Sequence, residues 1–267
     1  IYNSVGTPGT TPSTSLVLLQ AQQKLNENAA VMSPRYATVN PAANAGLVEG
    51  MKGLFNPTDT ISRQFKNGMM GMGVLGFEEI KMSQSIKQHT TGAWGTTITV
   101  TSTVATEGQA TLGISFTGSS KTWNVGDVFT IASVYAVNPQ TRESTGSLQQ
   151  FVVTAAATGS STATLSISPA IYTSANALAT VDSFPVAAAA VTMLGSASSQ
   201  YAQNLVYHKD AITFATADLL LPQGVDMASR QVHNGISMRV VRQYDINNDR
   251  LPCRIDVLYG YSTIRPA

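Results

Sequence analysis

From Thr11 to about Asn67 the apolar positions recur at helical spacing. Leu16, Leu19 and Leu25 stand among polar Gln20, Gln22, Gln23 and Lys24, the pattern of an amphipathic helix, and Thr11-Pro12-Ser13 supplies its start signal. Asn40-Pro41 sets a capping residue before proline at the first helical position, and Leu47, Val48, Met51 and Leu54 follow at helical intervals. Asn56-Pro57-Thr58-Asp59 predicts the end of this second helix and the start of a short third one over Thr60 to Lys66, which Gly68 can terminate. Between about Ala93 and Ser196 the pattern changes to alternation. Thr, Ser, Val, Gly and Ala dominate there, and the only charges are Glu107, Lys121, Asp127, Arg142, Glu143 and Asp182. Strands are predicted in TTITVTSTVA, ATLGISF, DVFTIASVYAV, LQQFVVTAA, TATLSIS and PVAAAAVTML, separated by turn residues such as Asn124-Val125-Gly126-Asp127. Six short strands at this spacing predict a small barrel or sandwich. Two further strand-like runs, Ile236 to Tyr244 and Arg254 to Ile264, close the sequence. The chain therefore reads as a β module over residues 93–196 inserted into an α+β domain formed by residues 1–92 and 197–267.

A chain of 267 residues can bury about 70–75% of its unfolded surface in one large domain. Its formal net charge is +1, and only 12% of residues are charged, about half the usual quarter. No field of one sign draws it to nucleic acid or to an anionic membrane. So low a charge also gives little resistance to self-association, which hints at a packed partner. The lone cysteine, Cys253, excludes an internal disulfide and is expected to be a buried, inert thiol. The opening IYNSVGTPGTTPSTS has neither a basic nor an apolar leader segment, and the longest apolar run, around Val186 to Val191, is too short to cross a bilayer. The expectation is of no export signal and no membrane span. A start at Ile1 rather than methionine leads us to expect a processed product or a fragment.

Chemistry-bearing motifs are sparse. Gly71-Met72-Gly73-Val74-Leu75-Gly76 matches G-x-G-x-x-G, yet the expected strand before it and helix after it are missing, so no cofactor is assigned. Asp245-Ile246-Asn247-Asn248-Asp249 spaces its oxygens like the start of an EF-hand loop. Arg250 and Asp256 stand where that loop needs Gly and Glu, and β-like runs flank it, so a polar hairpin turn is expected instead of a calcium site. Of His89, His208 and His233, only His208-Lys209-Asp210 forms a polar cluster, which reads as structural. Glu78-Glu79 alternate across a strand, and no zinc-ligand spacing occurs. No catalytic, cofactor-binding or metal residue is nominated, and the chain is not read as an enzyme. The alternative function is a carbohydrate-binding or adhesin module, for which Trp94 and Trp123 are the only tryptophans, and they are isolated.

Four stretches carry a resemblance. They are RYATVNPAANAGLVEGMKGLFNPTDTISRQF (Arg35 to Phe65), GDVFTIASVYAVNPQTRESTGSLQQFVVTA (Gly126 to Ala155), YHKDAITFATADLLLPQGVD (Tyr207 to Asp226) and GISMRVVRQYDINNDRLPCRIDVLYGY (Gly235 to Tyr261). Together they resemble the major capsid (coat) protein of short-tailed temperate enteric bacteriophages. The resemblance implies an α+β, Hong Kong-ninety-seven-type capsid fold, with an A domain, part of a P domain and an inserted all-β barrel domain. It implies a structural subunit of an icosahedral shell that forms pentamers and hexamers around a scaffolding protein. Implied partners are copies of itself, scaffolding protein, the portal and, non-specifically at most, packaged DNA. The implied location is the virion capsid, after synthesis in the host bacterial cytoplasm. Family members precede this region with an N-terminal arm, an extended loop and a spine helix. The expectation is therefore of an N-terminally truncated chain that is a monomer or weak oligomer by itself.

Overall fold

The computed structural model describes residues 2–51, 68 and 70–264. It divides into two units that part between residues 209 and 210.

The first unit opens with α1 (Ser15–Glu27), which follows Thr14 with no side-chain cap. Leu18 is its buried residue, whereas Leu16 and Leu19 are 58% and 42% exposed. The apolar stripe is thus out of phase with the one expected from the sequence, because Leu18 and Leu25, two turns apart, share the inward side. The helical reading of residues 11–67 fails outright at β1 (Arg35–Val39), where Arg35, Ala37 and Val39 alternate inward. The segment RYATV carries the strand signal in its period of two and its Tyr, Thr and Val.

After β1 comes α2 (Pro41–Met51), where the expected cap forms: Asn40 Oδ1 accepts from the Ala43 N–H at 2.9 Å. Leu47 and Met51 are buried as their spacing requires. Leu54, the Asn56–Asp59 turn and the expected third helix over Thr60 to Lys66 lie outside the described residues. Gly50 of α2 permits a close approach, since a Cβ there would stand 1.7 Å from the Ser13 carbonyl oxygen. Gly50→Ala should force α2 off the segment before α1 and cost about 1–3 kcal/mol, read as a lowered thermal midpoint.

A four-stranded sheet completes this layer. β2 (Gly71–Val74) and β3 (Phe77–Met82) form an antiparallel hairpin, β3 runs parallel to β1, and β1 pairs antiparallel with β14 (Leu205–His208). The sheet and the two helices bury Leu18, Ala37, Leu47, Met70, Phe77 and Ile80 between them.

The chain leaves this layer along β4 (Gln88–Thr90) and returns along β13 (Gln200–Ala202), and the two strands pair antiparallel. Between them all six predicted runs become strands of one antiparallel sheet: β5 (Thr96–Val100), β6 (Gln109–Thr117), β8 (Val128–Val137), β9 (Ser144–Ala155), β11 (Thr162–Ile171) and β12 (Val191–Met193). Their spatial order is β12-β8-β9-β11-β6-β5. The sheet curls until its edges meet, where Thr99 bridges Ala190 and the Val100 N–H donates to the Ala189 carbonyl at 2.9 Å. The sixth strand is much shorter than PVAAAAVTML suggested. Its consecutive alanines pack poorly on a pleated surface, and Ala188 takes a positive φ of 63° that ends the extended run. A small pair that the sequence did not announce, β7 (Lys121–Trp123) with β10 (Ala157–Gly159), lies beside it. The module core includes Leu112, Ile114, Trp123, Phe129, Phe151 and Leu165.

The second unit is a four-stranded antiparallel sheet in the order β15-β18-β17-β16, built from β15 (Ile212–Ala217), β16 (Met227–His233), β17 (Ile236–Arg242) and β18 (Cys253–Thr263). The last two match the expected closing runs. β15 and β16 were not read as strands, because their charged and polar neighbours mask the alternation.

Candidate functional site

The G-x-G-x-x-G stretch is a hairpin: Gly71–Val74 forms β2, Leu75 and Gly76 turn at φ values of 53° and 78°, and β3 follows. In the dinucleotide fingerprint the glycines lead into a helix N-terminus, whereas here a strand follows them. The Asp245 segment joins β17 to β18. Asp245 Oδ1 accepts from the Asn247 N–H at 3.0 Å, Oδ2 accepts from Asn248 Nδ2 at 2.8 Å, and Asp245 bridges Arg250. The Asn248 side chain first, and the Asn247 amide next, hold the Asp245 carboxyl below its ordinary range. Its oxygens serve the turn itself, as an Asx turn requires. Among the described residues no group of three or more His, Cys, Asp or Glu side chains could hold a metal ion.

Two of the three histidines meet polar partners. His208 ends β14 with its Nε2 3.1 Å from the Ser33 carbonyl oxygen, and His89 Nε2 lies 2.9 Å from the buried carboxylate of Asp127. Glu78 is exposed, while Glu79 pairs with Lys81 at 3.1 Å. Cys253 is exposed rather than buried, because it opens β18 at the end of a sheet with little covering. Trp123 is fully buried and meets Phe116 edge-on, with ring centroids 4.7 Å apart, and Trp94 packs partly buried on the same core. Trp123 therefore offers no open ring face on which a sugar could stack.

Two features escaped the sequence reading. The first is Arg35, 1% exposed, whose guanidinium serves the end of α1 and the turn beyond it. The second is a sheet face. By cross-strand pairing, Ile212, Phe214, Met238, Ile255, Val257 and Tyr259 share one side of the second unit, and every one is exposed. Phe214 stacks on Tyr259 at 6.0 Å. The opposite side carries charge: Arg239 and Arg254 both bind the Asp256 carboxylate, and Arg230 pairs with Asp218 at 3.5 Å. The signal was present in the alternation of CRIDVLYGY, and only the partners of β15 and β16 were missing from the reading.

Hydrogen bonds from Arg239, and next from Arg254, hold the Asp256 carboxyl below the usual carboxylate range. A depressed carboxylate stabilises the fold above its unfolded pKa, near 4, and loses that contribution as pH falls through the lower folded value. Circular dichroism melts should therefore show the Asp256 contribution intact from about pH 7 to pH 5 and fading below about pH 4. Asp256→Asn should remove that acid step. An acid step of unchanged size in the variant would sink this assignment.

A family model described as P22 coat protein, gene protein 5, matches residues 13–267. Among solved structures, the I-domain of the CUS-3 coat protein is similar at 31% identity, covering 38% of this chain and 96% of that one, with a TM-score of 0.29. No curated protein matches the chain.

Proposed function

Because this chain belongs to the P22 coat protein family, we propose that it is laid out as a Hong Kong-ninety-seven-type capsid subunit. It is a structural subunit of a phage capsid, a β-rich coat protein that associates with copies of itself in the virion shell. The observation that carries this is the family match over nearly the whole chain.

In the proposed layout residues 1–92, with the return after residue 197, build the A domain. Residues 93–196 are the inserted barrel, and the sheet of β15 to β18 belongs to the P domain. The paired entry and exit strands β4 and β13 support the insertion, and the separate unit after residue 209 supports the P-domain assignment. Subunits made in the host cytoplasm gather as pentamers and hexamers around scaffolding protein, with the portal as a further partner, and enclose DNA. A net charge of +1 suits a lining that touches DNA only non-specifically.

Mass spectrometry of purified particles from the phage that encodes this chain tests the reading. Peptides of this chain should be the most abundant in the particle. A few copies per particle would overturn the coat assignment.

A further inference from the structure

The joint between the α/β layer and the six-stranded module is more than a pair of linkers. Beyond the β4–β13 pairing, the buried Thr91 hydroxyl donates to the Ser196 carbonyl at 2.8 Å and accepts from the Ser199 N–H at 2.9 Å. From the module side, the turn between β7 and β8 brings in Asp127, whose side chain is fully buried. Its carboxylate accepts from the Gly92 N–H at 3.1 Å, from the Asn124 N–H at 2.7 Å and from His89 at 2.9 Å. A carboxylate here can only accept, so the imidazole carries a proton on Nε2. Asn124 Nδ2 also donates to the Thr90 carbonyl at 3.0 Å. Gly126 makes the fit possible, since a Cβ there would lie 3.1 Å from the His89 ring. His89, Thr90 and Gly92 of the entry segment are thus gripped by Asn124, Gly126 and Asp127 of the module. A second fastening lies on β9: Ser4 and the Gln150 amide exchange hydrogen bonds at 2.6 and 2.9 Å, and Lys24 Nζ donates to Ser147 Oγ at 3.0 Å.

We infer that the contact between His89 and Asp127 is a lock that fixes the angle of the six-stranded module to the α/β layer, while the module's own fold does not depend on it. Apolar contacts can slide, whereas a buried carboxylate with several directional donors tolerates little movement, so its chief effect is on geometry. The module core, by contrast, is a continuous apolar cluster that contains neither His89 nor Asp127. The inference does not require the capsid reading, because it concerns the joint alone. For a shell subunit, such a lock would decide which module orientation each copy brings to its neighbours.

The test uses the full chain with Cys253→Ser and spin labels at Thr141→Cys, on the exposed β8–β9 turn, and at Met72→Cys, on the exposed side of β2. Pulsed electron resonance should give one narrow distance distribution. His89→Ala should broaden it at least about twofold, while exchange-protected amides of β6, β9 and β11 keep their protection. Asp127→Asn, which puts an amide where an acceptor is needed, should do the same, so the test survives if either variant fails to fold. An unchanged narrow distribution overturns the lock. Broadening accompanied by loss of protection throughout the module overturns it equally, because the contact would then hold up the module's fold.

Discussion

Replacing Arg35 by methionine should lower the stability of the first unit by about 3–5 kcal/mol. The guanidinium is buried, and its three donor nitrogens are each committed: Nε to the Val31 carbonyl at 2.8 Å, Nη1 to Asn26 Oδ1 at 2.8 Å and Nη2 to the Ala30 carbonyl at 2.7 Å. These acceptors lie at the end of α1 and just past it, where carbonyls have no partner within the helix and the helix dipole favours a cation. Burial pulls the guanidinium pKa below its usual value, yet so strong a base remains charged at neutral pH. Methionine fills much of the volume and leaves three oxygens without donors. Each orphaned acceptor costs about 1–3 kcal/mol, and water reaching the exposed end of the turn recovers part of the sum. Arg35→Lys keeps the charge but can satisfy one acceptor well, so it should recover less than half of the loss. Urea unfolding of both variants measures this. A loss under about 1 kcal/mol for the methionine variant would show that the network contributes little.

Arg35 also shows where reading the sequence reaches its limit. The cap at Asn40, the burial of Leu47 and Met51, the six module runs and the β17–β18 hairpin were legible because each is specified by neighbours in the chain. β1 was misread as helix since five residues between two helical patterns carry little periodic weight. Its place at the centre of the sheet is set by β3 and by β14, which lies nearly 170 positions away in sequence. Distant partners likewise decide the Asp127 knot, whose donors come from two segments more than 30 residues apart. Cys253 misled for the opposite reason. Thiols are buried on average, but this one sits on a sheet face that the described residues leave open. That face is the part of the molecule most in keeping with a shell subunit. Several large apolar side chains on one exposed side favour association, whereas the charged side with Asp256 and its arginines is satisfied within the unit.

The module should respond most to Trp123. It is fully buried in the core beside Phe116, and cutting it back to alanine should cost about 3–5 kcal/mol through lost transfer energy and the cavity left behind. At a urea slope of about 2 kcal/mol per molar, that moves the midpoint down by roughly 2 M. Trp123→Phe separates the two parts of the indole. The indole nitrogen is buried with no hydrogen-bond partner among the described residues, so its removal relieves an unsatisfied donor and offsets part of the smaller cavity. The phenylalanine variant should therefore lose less than about half of what the alanine variant loses. Amide exchange gives the location: in Trp123→Ala the protected amides of β6, β8 and β9 should speed up together, while those of β17 and β18, in the other unit, should not change. Equal losses for the two variants would mean that the ring volume matters little and that the unpaired nitrogen has a partner in solution.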